Sequence, residues 1–246
     1  RDRSPSRGLG DVYKRQIQYR ARNAMLPLIN RSVNSYGRSL MQVSDVVAYA
    51  EKHKIPVAAL TDVHSLTGVP EFLLSCEKKG IHGVAGLTLQ ILDGEAYRGE
   101  LVLLGKGTDG FLSLKSLLDD AGHVANGDKK FNPTMGLQLN DIISGKYQEK
   151  LANTIALDGF PGSVGLSLVR EQGAENDSLG IRGLFEQETQ LSALKKQFPE
   201  GEYLAVQVPN TQNAFASALL QSMPESSPSV IVESTVAHAN NQEDLM

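Results

Sequence analysis

The feature that most constrains the fold of this chain is the stretch Ile55–Gly68. Its apolar run at 57–60 is short, begins after a proline and precedes a segment with helical spacing, which predicts a buried strand in a βα unit. Polar residues follow this run directly, namely Thr61, Asp62 and His64. Because α/β folds place their chemistry where strands end, we expect a site at these three residues.

Helical and strand periodicities alternate along the rest of the chain. Helices are predicted at 43–50, 69–76, 111–118, 137–144, 184–198 and 214–220, strands at 26–30, 57–60, 83–91, 100–104, 153–157, 164–168, 203–208 and 229–233, and loops at 119–134 and 170–182. This alternation predicts an α/β fold with a parallel, barrel-like or doubly wound sheet.

Composition narrows the classes of site and partner. The single cysteine, Cys76, excludes an internal disulfide and a cysteine-rich zinc site. No secretory signal or long apolar run is present, so we expect a cytoplasmic protein without a membrane partner. Seven of the 24 basic residues lie within 1–22, which leaves 17 basic against 26 acidic residues elsewhere, a net charge of −9. An acidic domain argues against direct DNA binding, which requires a basic surface.

The basic residues at the start of the chain belong to a segment without apolar periodicity. We interpret residues 1–24 as a leader that is foreign to the domain or, alternatively, as a disordered basic arm. The domain is then predicted to begin at Met25 and to run through 25–246, with its C-terminus truncated.

Four stretches carry a family resemblance. Residues 28–32 read Leu-Ile-Asn-Arg-Ser, where the family reads Leu-His-x-His-Ser, and the stretches 56–89, 101–114 and 230–244 follow in the family's order. Together they resemble the PHP (polymerase and histidinol phosphatase) domain of the bacterial DNA polymerase III alpha subunit, closest to the short Gram-positive type. The resemblance implies a distorted TIM-like (β/α)7 barrel of PHP type.

The resemblance also implies a ring of metal ligands at the strand ends, and most of its positions are changed here. The two histidines of the first motif fall on Ile29 and Arg31, the histidine of the second on Val63, the glutamate after Gly86 on Thr88, and the last aspartate on Val236. Asp62 and His238 are retained. His64 lies one position after Val63, which stands at the histidine position of the second motif. Isoleucine has no donor atom and arginine is a permanent cation, so neither can replace a histidine ligand. The two ligands that are retained are too few to hold a dinuclear metal centre. Asp62, His64 and His238 are therefore vestigial candidates, with no catalytic residue and no cofactor predicted.

The resulting hypothesis is a catalytically inert PHP-like domain from a replicative DNA polymerase. Its implied partners are the palm and thumb of the polymerase chain and other replisome subunits. The parent protein would be a DNA-directed DNA polymerase, a nucleotidyltransferase that uses Mg²⁺ in a palm absent from this sequence. One alternative is a PHP-type metal-dependent phosphoesterase or 3′–5′ exonuclease with Zn²⁺ or Mn²⁺, and another is a stand-alone binding module.

Overall fold

The computed structural model describes residues 28–123, 135–160, 162–171, 190–207 and 230–231. The helices are α1 (Val43–Lys52), α2 (Val69–Lys78), α3 (Gly107–His123), α4 (Leu139–Ile143), α5 (Gln148–Leu151), α6 (Val164–Glu171) and α7 (Gln190–Lys195). The strands are β1 (Val57–Leu60), β2 (His82–Asp93), β3 (Ala96–Gly105), β4 (Leu137–Gln138), β5 (Thr154–Asp158), β6 (Tyr203–Gln207) and β7 (Val230–Ile231). The leader 1–24, the predicted helix at 214–220 and His238 lie outside these residues.

Seven strands form one mixed sheet in the order β1-β2-β3-β5-β6-β7, and β4 pairs with β2. β1 is parallel to β2, while β3 runs antiparallel to both β2 and β5. β6 is parallel to β5, and β7 is parallel to β6. β1 and β5 therefore point in the same direction, and both end at the same edge of the sheet.

The helices form because their apolar residues recur on one face, which packs on the sheet. In α1 the buried residues are Val43, Val46, Val47 and Ala50, and in α2 they are Val69, Phe72 and Cys76. Pro70 occupies the first turn of α2, where its missing N–H has no helical partner to lose. The α2 face packs on β2, which contributes the fully buried Leu87, Leu89 and Ile91, while α1 packs on β1 and on α2. The core thus fixes β1 and β2, which carry the predicted site.

Several predicted elements differ from the structure. Residues 164–168 were predicted as a strand but form the helix α6, because an apolar run of this length fits both periods until it packs. Residues 119–123 were predicted as a loop but continue α3. The predicted first strand at 26–30 lies partly outside the described residues, and 28–30 forms no strand. That segment nevertheless lies beside β1, since the Thr61 N–H donates to the Asn30 carbonyl at 2.8 Å.

Within the described residues, no helix combines the length and the apolar character that a membrane span requires.

Candidate functional site at one edge of the sheet

Four acidic or polar positions meet the same edge of the sheet. Asp62 follows β1, Asp158 ends β5, and Gln90 lies opposite Glu100 in the β2–β3 ladder. Glu100 also pairs with Ser163, through an N–H donated to the Gly162 carbonyl at 2.9 Å. This is the edge at which the sequence predicted a site.

Asp62 is buried and its carboxylate is engaged by the segment after residue 30. The Ser32 N–H donates to Oδ1 at 2.5 Å, and the Ser35 hydroxyl donates to the same oxygen at 2.6 Å. The Ser32 hydroxyl donates to Oδ2 at 2.8 Å. A buried carboxylate needs such donors, because water is not available to it. Asp62 therefore ties the 32–35 segment to the end of β1.

Arg31 occupies one of the histidine positions implied by the family resemblance, and it pairs with a buried carboxylate. Its guanidinium contacts Glu100 Oε2 directly, and the Glu100 side chain is only 5% exposed. The guanidinium of Arg38 lies 3.3 Å from the other oxygen of Glu100. Two arginine side chains thus lie against one carboxylate at this edge of the sheet. The sequence analysis identified Arg31 but missed Glu100, because no local pattern pairs residues that are 69 positions apart.

Among the described residues, the His64 ring makes no hydrogen bond to Asp62. Its backbone lies in the left-handed region, with φ at 52°, and its N–H donates to the Thr88 carbonyl at 3.0 Å. Both ring nitrogens are buried, and neither makes a hydrogen bond of normal geometry within the described residues. Burial lowers the pKa of His64, and the nearby Gln90 and Glu100 oppose that shift. The ring thus lies on the β2–β3 side of the site, near Gln90 and Glu100.

Asp158 is the third buried carboxylate at this edge, and it was not predicted from the sequence. It accepts hydrogen bonds from the Gly159 N–H at 2.6 Å, from the Gly165 N–H at 3.2 Å and from the Tyr203 hydroxyl. Burial raises its pKa, and the bonds from Ser163, Tyr203 and the two glycines partly oppose this rise. A polar residue at the end of a predicted strand followed by Gly-Phe-Pro-Gly was the available signal. The cluster joins β5, the start of α6 and β6.

The side chains that the described residues place at this edge do not fit a dinuclear metal centre. Ile29 is buried and carries no donor, and the Thr88 hydroxyl donates to the Thr61 carbonyl at 2.7 Å. Both oxygens of Asp62 accept hydrogen bonds, and Glu100 faces two arginines. Within the described residues, no three His, Cys, Asp or Glu side chains lie close enough to hold a metal ion. His238, the remaining candidate ligand, lies outside those residues.

The family model of the PHP domain matches residues 28–207, which is most of the chain. The chain belongs to the PHP family. Among curated proteins, the DNA polymerase III subunit alpha of Staphylococcus epidermidis is 31% identical over 133 residues, which cover 53% of this chain and 12% of that protein. The corresponding subunit of Rickettsia felis is 28% identical over 189 residues, covering 74% of this chain and 15% of the relative. The PHP chain therefore matches only a small part of each relative's length.

The fold comparison agrees with the family assignment. A solved structure assigned as a metal-dependent phosphoesterase of Bifidobacterium adolescentis superposes with a TM-score of 0.51 at 9% identity, covering 90% of this chain and 95% of that one. At such low identity the similarity concerns the fold alone. The predicted PHP-type α/β fold is confirmed. The sheet is mixed, however, where the alternation of strands and helices predicted a parallel one, because the short turn after β2 makes β3 run antiparallel to it. Within the described residues, the strand path runs from β1 to β7 without a pairing between these two strands.

Proposed function

We propose that this chain is the PHP-like domain of a bacterial replicative DNA polymerase III alpha subunit, in which it acts as a catalytically inert structural platform. In this role it would pack against the palm and thumb of the polymerase chain and would offer a surface to other replisome subunits. The domain would serve DNA replication without binding DNA directly. The similarity of this chain to DNA polymerase III alpha subunits supports the proposed parent protein's identity.

The observation that carries the inert role is the ion pair of Arg31 with Glu100. Hydrolysis of a phosphodiester by metal ions requires several ligands that converge on one position, where the ions activate water and clamp the phosphate. At the edge of this sheet, a guanidinium occupies the neighbourhood of the buried carboxylate instead. Arginine stays protonated at any physiological pH, so it repels a metal ion rather than binding one.

The decisive experiment measures metal content and hydrolysis on the 246-residue chain. We expect no stoichiometric Mn²⁺ or Zn²⁺ by elemental analysis after dialysis, and no 3′–5′ degradation of labelled single-stranded DNA with either ion. Asp62→Asn is the matched variant, because it keeps the shape of the side chain and removes the charge. Stoichiometric metal together with degradation that Asp62→Asn abolishes would establish the alternative, a PHP-type phosphoesterase or exonuclease.

The parent protein is tested separately. Sequencing of the DNA that follows codon 246 should show an open frame that leads into a polymerase palm with paired aspartates, which bind Mg²⁺ in such enzymes. A stop codon close behind residue 246 would favour a stand-alone binding module instead.

A further inference from the structure

We propose that Arg31 is a built-in cation, whose guanidinium supplies the positive charge that a metal ion would supply at this edge, so that the folded edge is independent of metal. The inference rests on the proposed function and deepens it, because it states what holds the site together once hydrolysis is lost. It assigns a positioning role to Arg31 and to its partner Glu100.

Glu100 creates the need for a cation. Its side chain is only 5% exposed, on the central strand β3. An ionised carboxylate in such surroundings is costly unless a charge or several hydrogen bonds compensate it. Arg31 contacts one of its oxygens, and Arg38 lies 3.3 Å from the other. Arg31 is the closer and the more buried of the two, with 23% of its side chain exposed against 44% for Arg38.

Arg31 is anchored on both sides along the chain. Before it, the carbonyl of Asn30 accepts the Thr61 N–H at 2.8 Å, which attaches this residue to the end of β1. At Arg31 itself, the carbonyl accepts the Ser39 hydroxyl at 2.7 Å. After it, Ser32 donates its N–H to Asp62 at 2.5 Å. These hydrogen bonds therefore fix the backbone of Arg31 where its guanidinium contacts Glu100.

A tethered guanidinium behaves differently from a metal ion. It is not lost to a chelator, and it does not depend on the concentration of free metal, whereas a bound ion stabilises a protein by mass action. Its charge is also constant over the accessible pH range. Removal of Arg31 should therefore leave Glu100 as an incompletely compensated buried charge, and removal of that charge should restore most of the lost stability.

The test is thermal unfolding of the 246-residue chain, followed by circular dichroism with and without EDTA. We expect the same unfolding temperature for the unmodified chain in both buffers. Arg31→Met should lower that temperature by on the order of 5 °C, and the double variant Arg31→Met/Glu100→Gln should regain more than half of the loss. Lys79→Met is the matched control, because Lys79 forms a half-exposed ion pair with Glu51 at 2.9 Å and should shift the temperature very little.

Two outcomes would overturn the inference: a lower unfolding temperature in EDTA, or a double variant no more stable than Arg31→Met. If Arg31→Met does not fold, a folded double variant is the restoring result, and failure of both variants to fold overturns the inference. The DNA degradation assay on the same samples separates the two proposals. Metal-dependent degradation refutes the proposed function, whereas EDTA-sensitive unfolding without degradation refutes only the role of Arg31.

Discussion

Asp62 and Asp158 end parallel strands at the same edge of the sheet, and both are buried, but they are satisfied in different ways. Asp62 is held by two serine hydroxyls and one backbone N–H from a segment that precedes β1. Asp158 is held by backbone N–H groups of the adjoining turn and helix, and by Tyr203 from the neighbouring strand. Neither carboxylate is paired with a cation in these bonds. The acids at the strand ends of this PHP domain therefore act as internal hydrogen-bond acceptors that join neighbouring strands, helices and loops.

The largest loss of stability is expected from added bulk beside the Asp158 carboxylate. A Cβ atom at Gly165 would lie far inside van der Waals contact with the Asp158 carboxylate. Gly165→Ala should therefore lower the free energy of unfolding by about 3 kcal/mol or more, since the buried acid has no room to move. Urea unfolding measures the change. Gly122→Ala in α3 is the control: its Cβ would lie 3.7 Å from the side chain of Met135, and the substitution should stabilise the chain by about 0.5–1 kcal/mol. Equal effects of the two substitutions would contradict the tight geometry at Asp158.

Removal of the other acid tests the role of Asp62 as a tie. Asp62→Ala leaves the Ser32 N–H and two serine hydroxyls without their acceptor, so we expect a loss of about 3 kcal/mol in the free energy of unfolding. Asp62→Asn keeps one acceptor oxygen and should lose less. Urea unfolding of both variants gives the comparison. An Asp62→Ala variant as stable as the unmodified chain would show that the 32–35 segment is held by other contacts.

A smaller effect is expected at the link between Asp158 and β6. Tyr203→Phe keeps the buried ring, which packs against Phe198 with centroids 5.4 Å apart, and removes only the hydroxyl donor. We expect a loss of about 0.5–1.5 kcal/mol in the free energy of unfolding, the usual net range for an intramolecular hydrogen bond. Phe198→Leu serves as a packing control that leaves the bond to Asp158 intact. A neutral Tyr203→Phe substitution would mean that the glycine N–H groups alone satisfy the acid.

The least disruptive test uses pH rather than a truncated side chain. Burial raises the pKa of Asp158 above the ordinary aspartate value of 3.8, so the folded chain binds this proton more readily than the unfolded chain. The stability contributed by Asp158 is therefore greatest at low pH and falls as the pH rises from 3.8 towards the raised folded value. The difference in free energy of unfolding between the unmodified chain and Asp158→Asn should shrink over that window. A difference that grows with pH would place hydrogen bonding above burial as the dominant influence.

The sequence predicted the elements whose period is local. The strand at 57–60, the helices from 43 and from 69, and the strands at 83–91 and 100–104 all follow from apolar spacing within a few positions. It also predicted Asp62 at the end of β1, because strand-end polar residues follow directly from the position of the strand. The helical state of 164–171 was not predictable in this way, since its apolar run suits a strand equally well until it packs.

The sequence alone therefore shows where most of the strands and helices lie. How the charges at the edge of the sheet are compensated becomes visible only in the folded chain. Arg31 and Glu100 are 69 positions apart, and Asp158 and Tyr203 are 45 apart. Local periodicity carries no information about such pairs, because their proximity arises only when the strands take their places in the sheet and exclude water from the edge between them.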